Sequence, residues 1–247
     1  MELHIGHLYP KTMSTYGDTG NIICLINRCR WRGINTVVHQ LDVDTAVPEQ
    51  IDLYFFGGGQ DAAQSSLERD LLEKKADRLL TDTAAGVPLL AICGGYQLLG
   101  ASYHPFDSPV IRGVGLFPVE TRASHDRMIG DLVITANPRL NLPADQPEIV
   151  GFENHSGKTV ITDPEKGFPL GTVRHGFGNN GSDRTEGCVT YNSIGCYLHG
   201  SLLPKNPRLA DWLIEKAGRR HDPDFHLTPL DDRLEWQAHA VIVGRYA

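Results

Sequence analysis

The run Val87-Pro88-Leu89-Leu90-Ala91-Ile92 ends in Cys93-Gly94-Gly95 and is followed at once by Tyr96-Gln97-Leu98-Leu99-Gly100. An unbroken apolar run with no polar alternation reads as a strand buried on both faces, and such strands belong to parallel sheets covered by helices. The glycines mark a sharp turn, and the residues after them read as a helix. A thiol at that junction is presented above the sheet, where a nucleophile is accessible. The helix N-terminus favours thiolate. The neighbouring glycines let backbone N–H groups approach a substrate oxyanion. The segment points to chemistry through a cysteine thioester. A lone buried cysteine is as often inert, so the rest of the chain must supply a base.

The candidate base is His199, in Ile194-Gly195-Cys196-Tyr197-Leu198-His199-Gly200-Ser201. It also ends an apolar run and precedes a glycine. A cysteine nucleophile needs an imidazole to take its proton and return it to the leaving group. A single histidine is more commonly a satisfied core or loop residue. Two such residues at two strand ends favour catalysis over that reading.

The first half alternates strand and helix. Strands are expected at residues 2–8, 36–41 and 51–56, the last running into Gly57-Gly58-Gly59. A helix over about 21–31 has Asp18-Thr19 available as its cap and Gly33 as its stop, and a longer helix spans about 65–83. This alternation predicts an α/β fold with a central, mostly parallel sheet flanked by helices. The second half predicts additional hairpin structure, with short strands at 115–120, 131–135, 148–152 and 170–173. Helices are expected over 206–219 and 230–242. No composition break marks a linker, so residues 1–247 are expected to form one domain, with the helical segment from about 206 to 247 packed on it.

Gly151-Phe152-Glu153-Asn154-His155-Ser156-Gly157-Lys158-Thr159 superficially matches a phosphate-binding loop. It has one residue too many between the glycines and does not open a helix, so a β-turn is the expected structure. The chain is expected to bind no nucleotide. Its formal charge of -7 argues against a general nucleic-acid binder. The first residues read as a strand rather than a secretion signal, and no run reaches the roughly 18 apolar residues of a membrane span. Five cysteines without a Cys-x-x-Cys pair fit reduced thiols in the cytoplasm. Eleven histidines without an HxxxH or HExxH spacing give no metal site.

Cys93-Gly94-Gly95-Tyr96-Gln97 and Tyr197-Leu198-His199-Gly200 resemble the class I glutamine amidotransferases, with Phe56-Gly57-Gly58-Gly59 where those enzymes build part of the oxyanion hole. The first motif is similar to the CobB/CobQ-like branch, which contains cobyric acid synthase glutaminase domains. Within that branch four segments resemble the GatD-type glutaminase subunits of lipid II isoglutaminyl synthases. They are Ser14-Thr15-Tyr16-Gly17-Asp18-Thr19-Gly20-Asn21-Ile22, Gly151 to His155, Gly176-Phe177-Gly178-Asn179-Asn180 and Leu198 to Asn206. The matches span about residues 5–240.

The resemblance implies that L-glutamine is hydrolysed and its ammonia handed to a Mur-ligase-like (MurT-like) partner in a heterodimer. The partner would use ATP to amidate the D-isoglutamate α-carboxyl of lipid II in peptidoglycan synthesis, so this chain needs no cofactor of its own. Cys93 is then the nucleophile and His199 the base. Gly58 and Gly94 supply oxyanion N–H groups, Gln97 helps to orient substrate, and Arg127 receives the glutamine α-carboxylate. Arg122 is a nearby competitor, since a guanidinium fork suits a carboxylate wherever it is reachable. Many class I enzymes carry His-x-Glu, whereas here Ser201 stands two residues after His199. The expected remedy is a carboxylate from the partner, or an internal group such as Glu153 or a backbone carbonyl. A cobyric-acid-type amidotransferase is the alternative, although those usually fuse an ATP-binding domain ahead of the glutaminase. A non-catalytic module, or a cysteine hydrolase on a similar sheet, are further readings that glutaminase activity would separate.

Overall fold

The computed structural model describes residues 1–14, 17–59, 61–106, 109–143 and 145–246. Thr15 and Tyr16 of the Ser14–Ile22 motif therefore lie outside the described residues. The first half builds the expected alternation: β1 (Glu2–Leu8), α1 (Thr19–Arg30), β2 (Asn35–Leu41), β3 (Leu53–Phe56), α2 (Asp61–Asp70), α3 (Ala76–Ala84), β4 (Leu89–Ile92) and α4 (Gly94–Leu99). Gly33, with φ +69°, ends the first helical segment, a conformation that only glycine adopts without strain. The long helix expected over about 65–83 is α2 and α3 joined by a π-helical turn, Leu71–Lys75. The extra residue in that turn brings Lys75 into the interior, where it pairs with Asp70, which also accepts from the Tyr9 hydroxyl at 2.7 Å.

The second half contributes β5 (Ser102–His104), β6 (Ile111–Arg112), β7 (Val119–Ala136), β8 (Glu148–Ile161), β9 (Gly171–His175), β10 (Thr185–Glu186), β11 (Cys188–Thr190) and β12 (Ser193–Cys196). It closes with α5 (Leu202–Lys205), α6 (Pro207–Gly218) and α7 (Arg233–Arg245). The central sheet has the order β11-β12-β4-β3-β1-β2, parallel except for the β11–β12 pair. A second sheet has the order β10-β9-β7-β5-β6, with β8 paired to β7. One apolar cluster runs through both, from Leu3 and Ile5 on β1 to Leu132 and Ile134 on β7 and Leu209 and Leu213 on α6.

Two expectations fail here. The stretch 115–118 is not strand, because β7 begins at Val119. Gly151–Thr159 is not a turn but the middle of β8, which runs unbroken against β7 apart from a register shift between Ala123 and Met128. The physical reason is an inward face of unusual polarity. Glu153, His155 and Thr159 point into the protein while Asn154, Ser156 and Lys158 are less buried, so the strand lacks the apolar alternation that announces one.

The C-terminal segment is tied down by a buried guanidinium. Arg28 of α1 bonds both carboxylate oxygens of Asp211 on α6 (2.7 and 2.8 Å) and both of Asp232 just before α7 (2.7 and 2.9 Å). These paired forks fix the geometry of both helices against α1.

Candidate active site

Cys93 stands between β4 and α4 with φ 49° and ψ -105°. A non-glycine residue held at positive φ costs on the order of 1–3 kcal/mol and persists only when its surroundings enforce it. Here the Cys93 N–H donates to the Cys196 carbonyl at 2.8 Å, and the Cys93 carbonyl accepts from the Gln97 N–H at 2.9 Å. Gly95 follows because a Cβ there would stand 2.7 Å from the Phe56 carbonyl. The turn thus seats the thiol at the carboxyl end of the parallel strands, as the sequence predicts.

β12 lies beside β4 and parallel to it in the central sheet, so the residues that follow it arrive at the same end. His199 is fixed there by Phe152 of β8, whose N–H donates to the His199 carbonyl at 3.2 Å while the His199 N–H donates to the Phe152 carbonyl at 2.8 Å. Cys93 and His199 are close enough for the charge on each to act on the other. Gly58 sits between them: a Cβ on it would lie 2.9 Å from His199 Cε1, 3.3 Å from Cys93 Cβ and 3.2 Å from Asp18 Oδ2.

Asp18 does not do what its place before α1 suggests. Its side chain does not cap α1. The carboxylate is fully buried, with Oδ1 3.5 Å from His199 Nδ1 and Oδ2 accepting the Gly58 N–H at 2.7 Å. Gly58 N–H is therefore engaged by Asp18 and does not face open space for an oxyanion, because a buried carboxylate requires donors of its own. Glu153 is not the internal orienter either: it accepts the N–H groups of Phe177 (2.7 Å) and Gly178 (3.0 Å) and lies 3.5 Å from His155. The signal for Asp18 was its setting, Gly17-Asp18-Thr19-Gly20-Asn21. A Cβ on Gly20 would stand 2.1 Å from Ser201 Oγ, and that hydroxyl donates to the Gly17 carbonyl at 3.0 Å. Asn21 accepts the Leu203 N–H at 2.9 Å. Ser201 anchors the loop that brings Asp18 to His199.

Burial alone would push the His199 imidazole down, but Cys93 and Asp18 together hold it up, at about 10, so the ring is mainly protonated at neutral pH. Burial does the opposite to the other cysteines. It pushes Cys24, Cys29 and Cys188 up to about 12 and Cys196 well above the usual thiol range, so these four stay protonated and unreactive.

Gln97 is 4 % exposed, which removes it from the helix surface. Its Oε1 accepts from Gln64 at 2.8 Å and its Nε2 donates to the Tyr197 hydroxyl at 3.1 Å. The Tyr197 hydroxyl lies 2.6 Å from Thr159 Oγ1, and its ring stacks on His155 at 3.6 Å. Burial, followed by the charge on Cys93, raises the phenol, which stays neutral. Gly157 is required because a Cβ there would lie 2.6 Å from Gln97 Nε2. Gly94 opens α4 beside the thiol. Arg127 lies in the β7 irregularity, exposed, with its guanidinium on Asn154 Oδ1. Arg122 is also exposed and lies 4.0 Å from Glu120.

Residues 4–207 match the CobB/CobQ-like glutamine amidotransferase domain. The chain is 36% identical over 245 residues to the lipid II isoglutaminyl synthase (glutamine-hydrolyzing) subunit GatD of Staphylococcus aureus, covering 99% of this chain and 96% of that one. It is 37% identical over 238 residues to the subunit of the same name from Streptococcus pneumoniae, covering 94% and 87%. A probable cobyric acid synthase of Methanosarcina barkeri is 31% identical over 207 residues, which are 78% of this chain but 38% of that protein. PurLQS from Thermotoga maritima shares the fold, with a TM-score of 0.60 at 16% identity over 90% of this chain and 100% of that one.

Proposed function

The chain belongs to the CobB/CobQ-like glutamine amidotransferase family, and from that premise we propose that it is the glutaminase subunit of a lipid II isoglutaminyl synthase. The observation that carries the reading is the buried Cys93–His199–Asp18 constellation at the carboxyl end of the central parallel strands. The nearly full-length similarity to two GatD subunits supports the choice of acceptor. The cobyric-acid alternative is less favoured, because its match is weaker over this chain, 31% identity across 78% of it against 36% across 99%.

In this reading the Cys93 thiolate attacks the side-chain amide carbon of L-glutamine. A sulfur–carbon bond forms and the carbonyl π pair moves to oxygen. The Gly94 N–H, beside the thiol at the start of α4, receives that oxyanion. One such donor contributes roughly 3–4 kcal/mol in comparable sites. With Nδ1 on Asp18, the other imidazole nitrogen of His199 is left for the reacting atoms. It protonates the amide nitrogen, the carbon–nitrogen bond breaks, and ammonia leaves a γ-glutamyl thioester. His199, now neutral, takes a proton from water, which attacks the thioester and releases glutamate. Arg127 serves the α-carboxylate, and Gln97, held at both ends of its amide, fixes the floor of the site.

The Mur-ligase-like partner supplies the ATP chemistry that activates the lipid II carboxyl, and docking shields ammonia from protonation in bulk water. Asp18, 3.5 Å from His199 Nδ1, is the carboxylate this chain itself brings to the imidazole, beside any that the partner adds. Among the described residues no helix is long and apolar enough to cross a membrane. The test supplies glutamine labelled at its amide nitrogen, with ATP and lipid II, to the chain and the Mur-ligase-like protein together. Label in the α-carboxamide of the stem peptide supports the reading. Glutamate release without label in lipid II would send the ammonia to another acceptor.

A further inference from the structure

Strand β12 ends at Cys196, and the three residues that carry the chain to His199 leave the sheet. Their backbone groups lose strand partners, and each must be satisfied another way. Phe152 serves His199 from one side. On the other side the Tyr197 N–H donates to Glu186 Oε1 at 2.6 Å. Glu186 is fully buried on β10, an element of the second sheet, so this contact ties the catalytic segment to a sheet that does not carry it.

We propose that Glu186 is a positioning residue for His199, acting through the backbone of Tyr197. The inference rests on the glutaminase reading above. It deepens that reading by naming what keeps the imidazole in register with Cys93. A side chain that only filled space would need no carboxyl: an interior position on a two-residue strand is met more cheaply by an apolar group, since burying an acid is unfavourable unless a donor compensates. The shortest such donor here is the N–H two residues before His199, with the Gly187 N–H beside it. Displacing it would also move the Tyr197 ring, which stacks on His155 and holds Gln97 through its hydroxyl. Thus one acceptor controls both the imidazole and the polar floor beside it.

The surroundings fit a carboxyl that accepts without needing charge. Burial raises Glu186 to about 8, with Glu153 on β8 adding to the rise and the Tyr197 N–H and His199 opposing it. Tyr96 on α4 and Cys196 on β12 are the other ionisable groups within its field, and both are held neutral by burial. The group is mainly protonated at neutral pH, and its oxygen accepts the Tyr197 N–H in either state.

The test compares Glu186→Met, unbranched and without a strong acceptor, with Glu186→Gln, which keeps one. Glutamate release and alkylation of Cys93 by acivicin are measured on the full chain, well below its melting temperature. Glu186→Met is expected to lower kcat and the alkylation rate by about tenfold or more, as displacement of a catalytic group does, with KM for glutamine little changed. Glu186→Gln is expected to restore most of kcat. Should Glu186→Met fail to fold, Glu186→Ala carries the same comparison. A folded Met or Ala variant with the wild-type kcat and pH profile overturns the proposal. So does a Gln variant as slow as the Met variant. A wild-type chain that neither releases glutamate nor is alkylated at Cys93 overturns the glutaminase reading itself, and this inference with it.

Discussion

Gly58→Ala is the smallest change that reaches all three members of the site at once. The added methyl would lie 2.9 Å from His199 Cε1, 3.2 Å from Asp18 Oδ2 and 3.3 Å from Cys93 Cβ. Carbon atoms pack best at about 3.5–4.0 Å, so the imidazole must retreat by about half an ångström. Its backbone is pinned by Phe152, and Asp18 is pinned by the Gly58 N–H itself, so the retreat comes from ring rotation away from the thiol. Misplacement of a catalytic group by about 1 Å costs on the order of a hundredfold, so half that distance is expected to lower kcat by about tenfold or more. The overpacking should also cost about 1–3 kcal/mol of stability. Glutamate release and thermal melting, measured together, separate the two effects. Gly244→Ala, with nothing within 4 Å of the new Cβ, is the control; it is expected to leave kcat alone and to stabilise helix α7 slightly. A folded Gly58→Ala chain with unchanged kcat would refute the placement of these three side chains around one point.

Asp18→Asn keeps an oxygen for the Gly58 N–H but removes the charge that helps hold His199 protonated. The imidazole limb of the pH–rate profile is expected to move to lower pH and kcat to fall by about ten- to hundredfold, within the range of general acid–base effects; an unmoved limb would exclude Asp18 from the site. Arg127→Ala is expected to cost about 1.5–3 kcal/mol of glutamine binding, roughly tenfold to a hundredfold in KM; the same loss from Arg122→Ala alone would make Arg122 the anchor. Glu186, raised from 4.5 to about 8, binds its proton more tightly folded than unfolded. Its contribution to stability is complete below about pH 4.5 and is lost as pH rises through about 8, a change of at most about 5 kcal/mol. Denaturant titrations of Glu186→Gln should show a flatter decline across that window than wild type; parallel curves would contradict the shift.

What the sequence made legible was what apolar patterning encodes. The βαβ alternation, the seat of Cys93 at the end of β4 and the arrival of His199 after the neighbouring strand all follow from short apolar runs stopped by glycine. Where polar side chains face inward the pattern misleads. The middle of β8, Gly151–Thr159, reads as a turn because Glu153, His155 and Thr159 occupy its buried positions, and Thr159 and His155 are polar where they meet Tyr197 beside the site. Asp18 was read as a helix cap because an aspartate before a helix usually is one. Only the fold brings its loop beside Ser201 and turns the carboxylate to His199. The π-helical turn at Leu71–Lys75 likewise left no mark, since its cause, the buried pair of Lys75 with Asp70 beneath Tyr9, is tertiary.

The central claim is that Cys93 alone among five cysteines forms the thioester, and the most direct measurement of it is the site of covalent capture. The chain is incubated with acivicin, or quenched during turnover of glutamine, then digested and mapped by mass spectrometry. A single adduct at Cys93 is expected, abolished by Cys93→Ala and slowed in Asp18→Asn. An adduct at Cys24, Cys29, Cys188 or Cys196, or glutamate release that survives Cys93→Ala, would contradict it.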